Sequence, residues 1–117
     1  MYHGKKNRAH KKRKNHYGRF PVETKIDKEK KTSIKCKGGG TKTKIVSTEY
    51  ANVIVDGKAA KCKIISFEEN PVSQDYSRRH IITKGAIITV KTPDKKEIKA
   101  RVSSRPGQSS SLNAISL

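Results

Sequence analysis

The sequence predicts an all-β protein: a small antiparallel β-barrel of about six or seven strands, carrying a basic, extended N-terminal arm. Three observations predict it. From residue 33 onward, short alternating or β-branched apolar runs recur, separated by turn-forming residues. No window keeps apolar residues at i, i+3, i+4 and i+7, so long helices are not expected. Only 32% of the 117 residues are hydrophobic, and closing a sheet on itself removes edges that so small an apolar supply would leave exposed.

The elements follow in order. "SIKCK" (33–37) and "TKTKIVS" (41–47) alternate and flank the loop Gly38-Gly39-Gly40. "YANVIV" (50–55) and "KAAKCKIISF" (58–67) flank Asp56-Gly57, the strongest short hairpin signal, because a type I′ turn needs positive φ at both central residues. Asn70-Pro71 opens a polar connection. "HIIT" (80–83) and "AIITVK" (86–91) read as further strands, with Arg78, Arg79 and Lys84 at strand ends. "TPDKK" makes a second turn, "EIKARV" (97–102) returns from it, and "LNAISL" (112–117) supplies a final strand. One domain accounts for this length. It divides into an arm over residues 1–31 and a barrel body over 32–117.

Charge separates the two parts. The chain holds 28 Lys and Arg against 10 Asp and Glu, a formal net charge of +18. Residues 1–19 contain eight Lys and Arg, no acid, and only Met1, Tyr2 and Tyr17 as large apolar side chains. Such a segment buries too little surface to offset the entropy of ordering, so the arm is expected to be disordered when free. A net charge of this size repels itself unless a polyanion cancels it. Nucleic acid is the expected partner and membrane is not: no apolar run approaches the roughly 20 residues of a span, and the basic start is followed by no apolar segment of a secretory signal. Cys36 and Cys62 both lie in "KCK" and are expected as free thiols of a reducing compartment.

The sequence offers little for chemistry and no cofactor. "GGGTKT" (38–43) lacks the first glycine of a phosphate loop at its required distance. Cys36, Cys62 and His80 are isolated, and His3, His10 and His16 sit among cations, so no metal site is expected. No serine or cysteine has a base and an orienting acid nearby in the pattern, and no enzyme is expected. Binding, by contrast, has its parts. Lysines recur at alternate positions, which places them on one strand face, opposite the apolar one. Tyr17, Phe20, Tyr50 and Tyr76 are aromatic side chains able to stack on bases, or to pack as ordinary core.

These residues resemble a known family. "EYANVIVDGKAAKCKIISFEENPVSQDYSRRHIITKGAIITV" and "KARVSSRPGQSSSLNAI", with "HKKRKNHYGRFPVETKI" and "KGGGTK" upstream, are similar to the archaeal and eukaryotic type of small-ribosomal-subunit protein eight, which is unrelated to the bacterial protein of that number. The likeness covers residues 10–116, and the compact length resembles an archaeal form. The family usually has proline where this chain has Phe20, and a longer stretch before His10. The resemblance implies a structural constituent of the small ribosomal subunit in the cytoplasm. It would be present as one copy, bound to small-subunit rRNA and neighbouring ribosomal proteins, and active in assembly and translation. By motif it places Arg78, Arg79, Lys84 and Arg105, and the block His10, Lys11, Lys12, Arg13 and Lys14, near rRNA. Charge and strand pattern add Lys5, Lys6, Arg8, Arg19, Lys35, Lys37, Lys42, Lys44 and Arg101 as expected RNA contacts, and the glycine loop, whose backbone N–H groups can approach phosphates, adds Gly39. The alternatives are a ribosome-assembly factor that uses the domain transiently, or a metal- or nucleotide-dependent RNA-modifying enzyme.

Overall fold

The computed structural model describes Gly4 and residues 11–117. Lys5, Lys6, Arg8 and His10 therefore lie outside the described residues. Among the described residues, eight strands and one short α-helix form the fold: β1 (Lys25–Ile26), β2 (Lys30–Lys35), β3 (Thr41–Thr48), β4 (Tyr50–Val55), β5 (Lys58–Glu69), α1 (Gln74–Arg79), β6 (Ile87–Lys91), β7 (Glu97–Val102) and β8 (Asn113–Ser116). The all-β barrel predicted from the sequence is present, with a different strand count. Strands β4-β5-β6-β7-β8 close a five-stranded barrel, and β1-β3-β2 form a separate three-stranded sheet.

Four of the barrel's five pairings are antiparallel, and β4–β8 is parallel. The number of strands dictates this. Direction alternates around an antiparallel ring, so an odd ring must contain a parallel pair where it closes. A wholly antiparallel barrel is thus corrected to a mixed one.

The barrel strands alternate as the sequence suggested. Ala51 and Val53 of β4 point inward, and Asn52 and Ile54 point outward. Cys62, Ile64, Phe67, Ile88, Val90, Ala100, Val102 and Ala114 complete a core of small and branched side chains. β5 is 12 residues long and pairs with both β4 and β6. Its register with β6 shifts between Ile64 and Ser66 and again between Phe67 and Glu69. Such bulges bend a strand, so β5 wraps the barrel and Ile65 is turned outward. The predicted turn is confirmed: φ is 51° at Asp56 and 79° at Gly57. "TPDKK" also turns as expected, with the Thr92 amide donating to the Lys96 carbonyl at 2.9 Å.

One expected strand is absent. "HIIT" makes a single bridge, Ile82 to Thr24, and the polar connection before it is helical. Ser73 caps α1 by accepting the Asp75 amide hydrogen, Arg78 and Arg79 stand in the last turn, and His80 ends the helix in the left-handed region at φ 56°. Asn70 holds the connection together. Its side-chain amide donates to the Ile81 carbonyl (2.9 Å) and the Thr83 hydroxyl (2.8 Å), and its Oδ1 accepts the Val72 amide (3.1 Å). Arg78 and Arg79 therefore project from a helix end, not a strand end.

Backbone pairing begins before β2. Thr24 is fully buried, its carbonyl accepts the Ile82 amide (2.8 Å), and its hydroxyl donates to the Ile45 carbonyl (2.7 Å). Among the described residues no helix is long and apolar enough to cross a membrane.

Candidate nucleic-acid interface

Three expected RNA contacts meet in one groove. Lys44 of β3, Lys84 of the turn before β6, and Arg105 of the loop before β8 line a groove of about 380 Å³. Pro21, Val22, Val72 and Pro106 supply apolar walls, and no carboxylate lines it. The three cations come from segments 40 and 21 residues apart in sequence, so local structure alone cannot gather them.

A run of buried hydrogen bonds does. The Ile82 amide donates to the Thr24 carbonyl, and the Thr24 hydroxyl donates to the Ile45 carbonyl. The Ile45 amide in turn donates to the Pro106 carbonyl at 2.9 Å. Each cation stands one or two residues from a member of this run. Lys84 is fixed further by its turn: the Ala86 amide reaches the Thr83 carbonyl (3.0 Å), and the Gly85 amide reaches the Val102 carbonyl (2.8 Å). Gly85 has φ 94°, open to glycine and strained for other residues. Arg105 precedes a turn in which its carbonyl accepts the Gln108 and Ser109 amides at 2.9 and 3.1 Å.

A second group lies at the β2–β3 hairpin tip. Lys35 ends β2, Lys37 and Gly39 belong to a 3-10 turn, and Lys42 stands on β3 opposite Ile34. The Cys36 amide closes this loop onto the Gly40 carbonyl at 2.8 Å, with Gly38 and Gly39 both at φ 80°. Arg19 joins the group, because its guanidinium donates to the Lys35 carbonyl at 2.8 Å. The basic run Lys11, Lys12, Arg13 and Lys14 is exposed along residues 11–14, beside a 3-10 turn over Lys14–His16. Arg101 is exposed on β7 and, with Lys84, rims a second depression walled by Val102, Ile115 and Leu117.

The neighbours Arg78 and Arg79 differ. Arg79 is paired with Glu23, and with Asp75 at 3.3 Å, and these two carboxylates hold its guanidinium pKa above the ordinary value. Arg78 is exposed and has no hydrogen bond or ion pair among the described residues. Arg79 thus ties α1 to the segment before β1, and Arg78 points to solvent.

Sequence reading did not single out Thr24, Glu23 or Asp75, which position the cations. A Ser-x-Asp capping pattern at Ser73–Asp75 was the one available signal for the helix. Among the described residues no group of His, Cys, Asp and Glu is arranged to hold a metal, and both cysteines are free thiols.

The ribosomal protein S8e family model matches residues 2–117. Small ribosomal subunit protein eS8 of Nanoarchaeum equitans is 37% identical over 110 residues, covering 92% of this chain and 83% of that relative. The protein of the same name from Haloarcula marismortui is 35% identical over 112 residues, covering 96% and 87%. That from Methanocorpusculum labreanum is 41% identical over 100 residues, covering 84% and 76%. These relatives are archaeal, as the compact length suggested. The chain belongs to the ribosomal protein S8e family, a family of small-ribosomal-subunit proteins and not of enzymes.

Proposed function

We propose that this protein is a structural constituent of the small ribosomal subunit, binding small-subunit rRNA and stabilising its fold during assembly and translation. One observation carries the reading: Lys44, Lys84 and Arg105 converge, without a carboxylate among them, on a groove braced by buried hydrogen bonds. A concave site with three cations and no anion suits the phosphodiester backbone. Rigid placement matters because phosphate contacts set register, and arginine's planar fork matches two phosphate oxygens. The hairpin tip and the run Lys11–Lys14 extend the same charge, and Lys5, Lys6, Arg8 and His10 continue it in sequence. The arm orders against RNA, and the barrel supplies position. Recognition follows backbone and shape, since A-form grooves hide base edges. The protein works as one copy, in the cytoplasmic ribosome, beside neighbouring ribosomal proteins.

Binding to its small-subunit rRNA across a range of salt concentrations tests this. About eight neutralised phosphates give a log–log slope of about −6 to −7. Deleting residues 1–19 removes most of that slope and leaves the β-sheet circular dichroism unchanged. A full-length slope near −2 would overturn the reading.

A further inference from the structure

We propose that a second pocket, at the joint between the three-stranded sheet and the barrel, takes the base of one unpaired RNA nucleotide stacked on Tyr50. The inference rests on the RNA-binding reading above and adds to it a contact with a base instead of a phosphate.

The joint is one residue long: Thr48 ends β3 and Tyr50 begins β4. It is firmly held. The buried Thr48 hydroxyl accepts the Tyr50 amide (3.3 Å) and donates to the Tyr50 carbonyl (2.9 Å), and the Ile64 amide donates to the Glu49 carbonyl (2.8 Å). Alternation along β4 places Tyr50 on the outward face with Asn52 and Ile54, and this rigid backbone holds its ring 41% exposed. Its ring borders a pocket of about 210 Å³. That is below the roughly 300–1,000 Å³ of small-molecule sites and suits one flat ring.

The side chains around it match a nucleotide. Lys61 Nζ lies 4.8 Å from the Tyr50 ring centroid. An exposed cation on an aromatic face is worth about 2- to 5-fold in an equilibrium. A base stacked on that face is worth about 5- to 150-fold. A base therefore displaces the ammonium, whose flexible stem lets it move to the nucleotide's phosphate. Glu29, the one carboxylate present, is held by Lys31 at 2.8 Å. The two lysines and one carboxylate leave a single positive charge, which one phosphodiester balances. Asn52, Ser110 and Ser111 line the remaining wall. Asn52 makes only a 3.4 Å contact to Asn113 by its side chain, and the two serine hydroxyls make no hydrogen bond among the described residues. They are available to a base edge.

Three RNA probes test the pocket with the full chain: a plain A-form duplex, the same duplex with one bulged 2-aminopurine, and one with a bulged abasic residue. The expected result is that the bulged base binds about 5- to 150-fold more tightly than the abasic bulge, with quenched 2-aminopurine fluorescence. Tyr50→Ala erases that preference, and Tyr50→Phe keeps it. Equal affinity of wild-type protein for base and abasic bulges overturns the proposal without any variant, while leaving RNA binding intact. So does a preference that survives in Tyr50→Ala. Failure to bind any of the three RNAs overturns both this pocket and the RNA-binding reading.

Discussion

Cys36 and Cys62 stand in the same tripeptide, Lys-Cys-Lys, and end up in opposite environments. Cys62 lies on β5, which has a neighbour on each side and an inner face closed off by the rest of the barrel. It is fully buried, and burial pushes its thiol pKa up. Cys36 follows β2, whose only neighbour among the described residues is β3, and it is half-buried at the hairpin tip. The same local alternation thus makes a core on β5 and a partly exposed ribbon end at the hairpin tip. What differs is whether anything covers the apolar face. The barrel supplies its own cover, whereas the hairpin is covered only near its base, where Ile45 joins the barrel core, and its tip is left open to solvent or to a partner.

The sharpest way to break this comparison is thiol labelling. In native protein, iodoacetamide should modify Cys36 readily and Cys62 at least about 1,000-fold more slowly, because Cys62 reacts only when the barrel opens. The raised pKa of Cys62 slows it further by reducing thiolate. Comparable rates would mean the barrel is no more protected than the hairpin.

Truncation comes next in size. Ile88→Ala leaves a cavity in the closed core and should cost about 2–5 kcal/mol, measured as a shift in urea midpoint at constant slope. Ile34→Ala, at a half-buried hairpin position, should cost about 1 kcal/mol or less. Equal costs would show that the hairpin has a core of its own.

Thr24→Val keeps the shape and removes the hydroxyl that reaches Ile45. A loss of about 1–3 kcal/mol is expected in urea unfolding, with weaker rRNA binding because the groove cations lose their common brace. Unchanged stability and affinity would show that the groove is held by packing alone.

The smallest effect separates the two arginines. Arg78→Gln should leave stability unchanged and make the salt slope of rRNA binding shallower by about one unit. Arg79→Gln should loosen α1 from Glu23 with little change of slope. The reverse assignment would place Arg79, not Arg78, on RNA.

What the sequence made legible was what local rules govern. Asp56-Gly57 specifies its turn through φ, and alternation in β4 and β7 specifies which side chains enter the core. Helix α1 escapes local reading because its six residues are shorter than any periodic window, and in sequence they lie within a polar connection. Strand count also escaped local reading, since closure of β4 onto β8 is a pairing between distant residues. The groove was half legible. Lys44, Lys84 and Arg105 were recognisable as cations, but their convergence depends on Thr24, Ile45, Ile82 and Pro106, whose hydrogen bonds join segments far apart in sequence. Tyr50 was visible as one aromatic among several, and only the fold distinguishes it from Tyr76.

The parallel closing pair sets the timing of folding. Asn52 and Asn113 are 61 residues apart, and the ring is complete only when β8 docks beside β4. During synthesis β4, β5, β6 and β7 can zip by hairpins as they emerge, but they form an open sheet whose outer strands, β4 and β7, each lack a neighbour. Such edges pair readily with other chains. Closing a loop of this length is also slow compared with forming hairpins. The nascent protein therefore passes through a stage that is mostly paired yet adhesive, and it ends when the four residues Asn113–Ser116 arrive.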